Sequence, residues 1–237
     1  MRRVILGGTD LDGFSTLAFD DHVKLFFPDA SGHLPSPILV DHGLRFPDGE
    51  PRPEGRDFTP RRHDAERHEL TIDFGLHGSG PATAWARAAE PGMVVGAGGP
   101  RGSDVLPSGL AWHLLIGDDT ALPAIARRIE ECPPDTRVIA VIEVHDESER
   151  IALASRDAAN VTWVDRETPG ALTIDDAVAG LALPDGTGLA WVAGEAAMAR
   201  RIRQHLLGAR GLATTSVKAA AYWRRGGTGK HEILSDE

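Results

Sequence analysis

The chain has 237 residues, 41% of them hydrophobic and 25% charged, which is typical of a soluble globular protein with one large domain or two ordinary ones. Its formal net charge is −10, with −5 on each half when the chain is divided near residue 105, which argues against a nucleic-acid partner. The single cysteine excludes an internal disulfide and a CxxC metal site, and the lack of a signal segment or of an apolar run of about 18 residues predicts a cytoplasmic protein without membrane insertion.

The first half of the chain contains short strands separated by turns. A long loop is predicted over residues 28–55, because this proline- and glycine-rich stretch lacks a steady periodicity. One short helix is predicted over residues 82–89. The predicted strands are 2–6, 21–27, 56–59, 68–76 and 93–96. Short strands with one small helix indicate an antiparallel β-barrel.

After residue 106, strands and helices alternate. The predicted order is strand 111–116, helix 122–131, strand 138–144, strand 161–164, helix 174–183, strand 189–193, helix 195–207 and strand 217–223. This alternation predicts a parallel sheet with a nucleotide site at its carboxyl edge. We therefore expect two domains, a β-barrel of residues 1–105 and an α/β domain of residues 106–237.

The first candidate site is Arg56-Asp57-Phe58-Thr59, where an arginine, an aromatic ring and a hydroxyl lie along one strand. These three side chains suit different parts of a flavin cofactor. Arg56 can neutralise its phosphate, and the ring of Phe58 can lie against its isoalloxazine. Thr59 can hydrogen-bond near the redox nitrogen of that ring system. The alternative is an edge strand with an ordinary arginine and a core phenylalanine.

The second candidate site is residues 80–85 (GPATAW), directly after a predicted strand. The free N–H groups of a helix start, together with the hydroxyl of Thr83, can hold a pyrophosphate. The alternative is an ordinary helix N-terminus. The histidines show no metal-ligand spacing such as HExxH, so the sequence predicts no metal site.

Taken together, these segments resemble the siderophore-interacting proteins, flavin-dependent ferric-siderophore reductases of the ferredoxin-reductase-like superfamily. The segments that carry the resemblance are Arg56–Thr59, Asp73-Phe74 with His77-Gly78, GPATAWA at 80–86, GPRG at 99–102, GDDTALPAIARRIEE at 117–131, WVAGEAAMARRIRQHL at 191–206 and YWRRG at 222–226. They cover nearly the whole chain in the right order. The family usually has tyrosine in place of Phe58 and another strand before MRRV, so we expect a barrel that is incomplete or closed differently.

The resemblance implies that the first domain binds FAD. The residues it implicates are Arg56, Phe58, Thr59, Asp73, His77, Gly80, Pro81, Ala82, Thr83 and Trp85.

In the second half, residues 117–123 (GDDTALP) follow the first strand and open a helix. This placement suits a dinucleotide pyrophosphate, although an ordinary strand–turn–helix is equally compatible because the glycine-rich fingerprint is absent. Glu143 ends the second strand, where a carboxylate can accept from a ribose 2′-hydroxyl and repel a 2′-phosphate, which favours NADH unless Glu143 is simply solvated. Residues 193–195 (AGE) resemble the family's nicotinamide-side turn. The predicted NAD(P)H contacts are Asp119, Thr120, Ala121, Glu143, Gly194 and Glu195.

Three basic residues, Lys24, Arg101 and Arg224, are expected beside elements that border the flavin. A local cluster of cations would hold an anionic ferric siderophore despite the acidic chain. The family match implies this substrate contact, whereas an ordinary surface location is the alternative for each residue. Arg101 is alternatively a candidate contact for the flavin itself.

The sequence thus predicts an FAD-dependent NAD(P)H ferric-siderophore oxidoreductase that is monomeric and needs no catalytic acid, nucleophile or metal. One alternative is a flavin reductase that serves ferredoxin, flavodoxin or another acceptor. Another is a non-catalytic flavin- or siderophore-binding protein. The intact GDDTALPA and AGE segments favour turnover over binding alone.

Overall fold

The computed structural model describes residues 1–40, 43–76, 80–100, 102–154, 159–227 and 232–234. The chain forms two compact units, Met1–Val105 and Leu106–Glu237. None of the helices in the described ranges is long and apolar enough to cross a bilayer.

The first unit consists of short strands and one α-helix. Its elements are β1 (Arg2–Gly7), β2 (Val23–Phe26), β3 (Ile38–Val40), β4 (Gly43–Arg45), β5 (Gly55–Phe58), β6 (Arg62–Asp64), β7 (Glu69–Phe74), α1 (Pro81–Ala88) and β8 (Gly96–Gly98). Strands β1, β7 and β6 form one antiparallel sheet, and β5, β2 and β8 form a second. The predicted antiparallel architecture is confirmed.

The two sheets of the first unit share one hydrophobic core with α1. Alternate residues of β2 and β7 point into this core, as expected for strands with one buried face. The buried members are Val23, Leu25, Phe27, Leu70, Ile72, Phe74, Trp85 and Ala86.

A cleft of about 1150 Å³ opens between β1, residues 89–95 and the start of β8. In the described residues, β1 and β8 are each at the edge of their sheet, so no continuous ladder joins them at this point. The apolar side chains of Ile5, Met93 and Val94 at this cleft are exposed.

Two predictions for the first unit are wrong in part. Residues 28–55 are not a plain loop, because β3 and β4 form a two-stranded ribbon within them. Ile38 and Val40 are exposed apolar residues, so the hydrophobic pattern of β3 does not mark them as members of a core. The strand predicted at 93–96 lies instead at β8, where small glycines allow close approach to Phe26 and Leu44.

The second unit is an α/β sandwich. Its elements are β9 (Trp112–Asp118), α2 (Leu122–Glu131), β10 (Arg137–Val144), β11 (Ala159–Asp165), α3 (Ile174–Ala179), β12 (Gly188–Glu195), α4 (Ala196–Gly208), β13 (Val217–Trp223) and β14 (Glu232–Ile233). The sheet order is β11-β10-β9-β12-β13-β14, with the first five strands parallel and β14 antiparallel to β13. The predicted parallel sheet is confirmed, although α3 ends at Ala179, before the predicted residue 183.

Helices cover both faces of this sheet. Leu114 and Ile116 of β9 lie in the same core cluster as residues of α3 and α4. His113 of β9 alternates with them and contacts α2, because Arg128 Nε lies 2.9 Å from His113 Nδ1. Because the strands are parallel, their carboxyl ends form one edge, where such folds bind nucleotides.

Candidate functional site

Phe58 belongs to a cluster of aromatic rings in the first unit. Its centroid lies 4.5 Å from that of Phe74 and 6.3 Å from that of Phe27, and Phe58 remains half-buried. Trp85 lies 5.7 Å from Phe27 and 5.8 Å from Phe74. The buried Nε1 of Trp85 has no hydrogen-bond partner among the described residues. Within the described residues, this cluster therefore offers a ligand two groups, the partly exposed ring of Phe58 and the unpartnered Nε1 of Trp85 in α1.

Arg56 and Thr59 flank Phe58 and differ in exposure. The guanidinium of Arg56 donates to the carbonyl of Gly55 and to the carboxylate of Glu54, each at 2.9 Å. Its side chain is 32% exposed, so a phosphate can reach it if Glu54 releases it. Thr59 is buried immediately after β5.

Asp73 is buried in an ion pair across two strands. Arg3, its register partner on β1, donates from Nε and Nη2 to the two carboxylate oxygens at 2.7 and 2.8 Å. Arg61 Nε lies 3.8 Å from the same carboxylate. These contacts assign Asp73 a role in joining β1 to β7.

The two helices predicted to face phosphates begin without a capping side chain. Gly80 precedes α1 and Ala121 precedes α2, and in the described part of the chain neither start has a side-chain cap hydrogen bond. By contrast, Thr173 caps α3 and Glu195 caps α4. Since the first N–H groups of a helix need an acceptor, α1 and α2 are suited to bind an anion. Thr83 is buried in the first turn of α1.

Asp118 holds together the carboxyl edge of the second unit, and the sequence did not single it out. Its Oδ1 accepts from the backbone and hydroxyl of Thr120, at 3.0 and 2.5 Å. Its Oδ2 accepts from the backbone of Glu195 and from Trp223 Nε1, both at 2.8 Å. This buried carboxylate therefore fixes the ends of β9, β12 and β13 relative to one another.

Gly194 makes this arrangement possible. Its φ is +143°, and a Cβ atom there would lie 2.6 Å from Asp118 Oδ2 and 2.7 Å from Met198 Cε. A side chain at position 194 would therefore displace the carboxylate that connects the strand ends.

Glu195, predicted to contact the nicotinamide, also caps α4. Its Oε2 accepts from the backbone N–H groups of Ala197 and Met198 at 2.7 and 3.0 Å. Partial burial acts to raise the pKa of this carboxyl, but the N–H groups of Met198, Arg225 and Ala197 outweigh it and hold the pKa below its ordinary value.

The other predicted nucleotide residues lie at the same edge. Asp119 is buried, and Thr120 is tied to Asp118. Glu143 is not a solvated carboxylate, because Arg166 Nε donates to its Oε2 at 2.9 Å. The prediction of NADH rested on repulsion between Glu143 and a 2′-phosphate, and the charge of Arg166 offsets that repulsion.

The predicted substrate cations have acidic partners. Lys24 Nζ lies 2.6 Å from Asp57 Oδ1 in the first unit, and Arg224 Nη2 lies 3.4 Å from Glu232 Oε2 in the second. Arg101 and His77 lie outside the described residues. Of the described residues predicted to bind FAD, Trp85 alone lines the large cleft of the first unit. Across the described part of the chain, no group of three His, Cys, Asp or Glu side chains is arranged to hold a metal.

Comparison with known proteins gives matches over both units. Residues 1–104 match the model of the siderophore-interacting FAD-binding domain, and residues 110–226 match that of the siderophore-interacting protein family. The NADPH-dependent ferric-chelate reductase of Escherichia coli (strain K12) is 36% identical over 225 residues, covering 94% of this chain and 86% of that protein. The ferric vibriobactin reductase ViuB of Vibrio cholerae serotype O1 is 34% identical over 229 residues, covering 94% and 84%. The crystal structure of a siderophore utilization protein from T. fusca superposes with a TM-score of 0.86 at 40% identity, covering 96% and 88%.

Proposed function

Because this chain belongs to the siderophore-interacting protein family, we propose that it is an FAD-dependent oxidoreductase that moves electrons from NAD(P)H to ferric siderophores. The observation that carries this function is the family match over both units, together with named reductases that are similar along almost the whole chain. Reduction favours release of the metal, because hard oxygen ligands hold iron(III) far better than iron(II).

The first unit is the proposed FAD site, and the residues present fit this cofactor. The start of α1 offers backbone N–H groups without a capping side chain, which suits a pyrophosphate. Phe58 offers part of an aromatic face, and Trp85 offers a buried N–H donor. Arg56 is the proposed phosphate partner, once it leaves Glu54.

The second unit is the proposed NAD(P)H site. The start of α2 takes the pyrophosphate, and Asp118 keeps the neighbouring strand ends in place. Bound FAD supplies the conversion of a two-electron hydride donor into single-electron delivery to iron(III). The chain's own residues contribute placement and electrostatics.

Lys24, Arg101 and Arg224 remain the proposed contacts for an anionic siderophore. Both Lys24 and Arg224 are partly exposed, at 39% and 59% of their side-chain surface, so a ligand can reach them. An anionic ligand that displaces Asp57 or Glu232 would exchange one charge-assisted contact for another. An Arg224→Ala variant with unchanged siderophore affinity would remove this residue from the proposal.

The function is tested with purified protein carrying FAD. Under anaerobic conditions, NADH or NADPH should bleach the visible flavin absorption, and a ferric siderophore should restore it faster than ferric citrate does. A band that persists with both nucleotides contradicts the proposed NAD(P)H-dependent activity, and one that also persists with a reduced ferredoxin indicates a non-catalytic flavin-binding protein. Equal reoxidation by the two iron complexes rules out the siderophore as the preferred substrate.

A ferredoxin partner, a monomeric state and a cytoplasmic location remain predictions from the sequence. Bleaching by a reduced ferredoxin, but by neither nucleotide, would identify ferredoxin as the donor. Light scattering of the FAD-loaded protein would decide the oligomeric state.

A further inference from the structure

An arginine–carboxylate pair lies at the carboxyl edge of the second unit's sheet, close to the proposed pyrophosphate site. Glu143 of β10 is the register partner of Asp118, the last residue of β9. Strand β9 leads directly into α2. Adjacent strands lie about 5 Å apart, so the carboxylate is roughly one strand away from the start of this turn.

In dinucleotide-binding folds, this region distinguishes the two nicotinamide donors. A carboxylate accepts from the ribose 2′-hydroxyl of NADH, whereas an arginine accommodates the 2′-phosphate of NADPH. The present chain has both residue types at this point, since Arg166 directly follows β11 and contacts Glu143.

The terminal part of the Arg166 side chain is accessible to a ligand. Its backbone N–H donates to the carbonyl of Val144 at 2.9 Å, which fixes the residue beside β10. Its Nε is occupied by Glu143, but within the described residues its two terminal nitrogens have no hydrogen-bond partner. The side chain is 29% exposed. A guanidinium with its terminal nitrogens available can bind a phosphate through two oxygens.

A second arginine at this edge is already engaged. Arg150 Nε and Nη2 both contact the carboxylate of Asp165, at 3.3 and 2.5 Å. Its Nη1 also lies 3.9 Å from Glu147. Arg166 is therefore the better placed of the two for a ligand.

The surroundings of Arg166 are acidic. Partial burial acts to lower its pKa, but Glu143, Asp119 and Asp118 outweigh this effect and raise it above the ordinary value. Arg166 thus carries a fixed positive charge among carboxylates, and without it this edge would repel a phosphate.

We propose that Arg166 binds the 2′-phosphate of NADPH and sets the preference for NADPH over NADH, with Glu143 competing for the same guanidinium. This inference rests on the proposed function and adds the donor and the residue that recognises it. The residue acts through binding and makes no contact with the hydride.

The test compares two probes that differ only in the 2′-phosphate, namely 2′,5′-ADP and 5′-AMP. Their affinities for the FAD-loaded protein are measured by calorimetric titration. The variants are Arg166→Ala, Arg166→Lys and Glu143→Gln, with Arg137→Ala as the control. Arg137 begins β10, so the control removes the same charge from the opposite end of that strand.

The wild-type protein and the control should prefer 2′,5′-ADP over 5′-AMP. Arg166→Ala should reduce this preference by about tenfold or more, the usual effect of losing one charge-assisted contact. Arg166→Lys should retain part of the preference. Glu143→Gln should increase it, because a competing carboxylate is removed. A purely structural pair would instead weaken both probes equally in both variants.

A wild-type protein that binds 5′-AMP as well as 2′,5′-ADP, or that binds neither, overturns the inference. An unchanged preference in a folded Arg166→Ala variant also overturns it. The proposed function fails by a different result, namely a flavin band that neither nucleotide bleaches. The two failures are therefore distinguishable.

Discussion

Phe58 is the residue on which the proposed flavin contact depends most directly. The ring is half-buried against Phe74, so only part of its surface is available to a cofactor. A tyrosine, which the family resemblance leads us to expect at this position, would add a hydroxyl. In this chain the contact relies on the aromatic ring alone.

Replacing Phe58 with leucine should therefore weaken FAD binding while keeping an apolar side chain. The loss of an aromatic contact predicts a roughly twofold to tenfold rise in the dissociation constant. Phe58→Tyr should bind FAD at least as well as the wild type. Quenching of FAD fluorescence during titration measures both constants. Equal affinity in all three proteins would show that the ring does not touch the flavin.

His113 is a buried residue whose charge state affects stability. Burial, followed by the positive charge of Arg128, lowers its pKa from 6.5 to about 3. In the unfolded chain, the imidazole binds a proton below its ordinary pKa, whereas the folded protein keeps it neutral. Folding stability should therefore fall as the pH drops from about 6.5 towards 3, by at most about 1.4 kcal/mol per pH unit.

A His113→Gln variant isolates this contribution, because an amide can still accept from Arg128 without titrating. Urea unfolding at several pH values should show a shallower acid loss in the variant than in the wild type. Parallel pH dependences for the two proteins would mean that His113 does not stay neutral in the fold.

At the scale of elements, capping distinguishes α1 and α2, the helices proposed to bind nucleotide phosphates, from α3 and α4, which Thr173 and Glu195 cap. Gly80 has an extended backbone, with φ −72° and ψ 165°, and no atom of the described residues lies within 4 Å of a Cβ built there. A side chain therefore fits at this position. The start of α1 lacks a side-chain cap because glycine has no side chain, and not because the position is crowded.

Gly80→Ser should add a capping hydroxyl that competes with a bound phosphate for the same N–H groups. We expect the FAD-free protein to gain a few tenths of a kcal/mol in stability, while FAD binds less tightly. Thermal unfolding without FAD and a flavin titration measure the two effects. Gly80→Ala is the control without an acceptor, and it should not show this combination. Unchanged FAD affinity in the serine variant would place the cofactor elsewhere.

Most elements were predictable, because their apolar periodicity matches their burial. Strands β9, β10 and β12 are buried on both faces, and β7 has a buried alternating side. The ribbon of β3 and β4 escaped prediction because Ile38 and Val40 of β3 are apolar residues that remain exposed. The glycines of β8 have no side chain, so Phe26 and Leu44 can lie close to them. Glycines contribute no hydrophobic periodicity, so the sequence does not mark this strand.

The site was less predictable, because its contacts depend on strand register. The sequence cannot show whether the side chain of Asp118 or that of Asp119 accepts the hydrogen bonds from the ends of β12 and β13. The pair of Glu143 and Arg166 joins residues 23 positions apart, and only the alignment of β10 with β11 brings them together. Positions 56–59 and 80–85 could be proposed from the sequence because each is a continuous segment.

For the whole molecule, the charge balance leads to a test of substrate binding. The chain carries a formal charge of −10, so its overall field opposes an anionic siderophore. Local cations must overcome this repulsion if Lys24, Arg101 and Arg224 bind the substrate. Added salt weakens whichever interaction dominates, since the screening length is about 10 Å at 0.1 M.

The KM for an anionic ferric siderophore should therefore rise with ionic strength. Local attraction by the basic residues predicts this direction, whereas control by the overall charge predicts a fall. A neutral ferric siderophore is the matched control, and its KM should change little. Steady-state rates at a fixed donor concentration provide the measurement.

The central claim is that this protein passes electrons from a nicotinamide donor to siderophore-bound iron. The most direct test reduces the FAD-loaded protein anaerobically with one equivalent of NADPH and mixes it with a ferric siderophore and an iron(II) chelator. We predict about two iron(II) ions per reduced flavin, because a hydride carries two electrons, with simultaneous return of the flavin absorption. Absence of iron(II), or a flavin that regains its colour only when air is admitted, would contradict this claim.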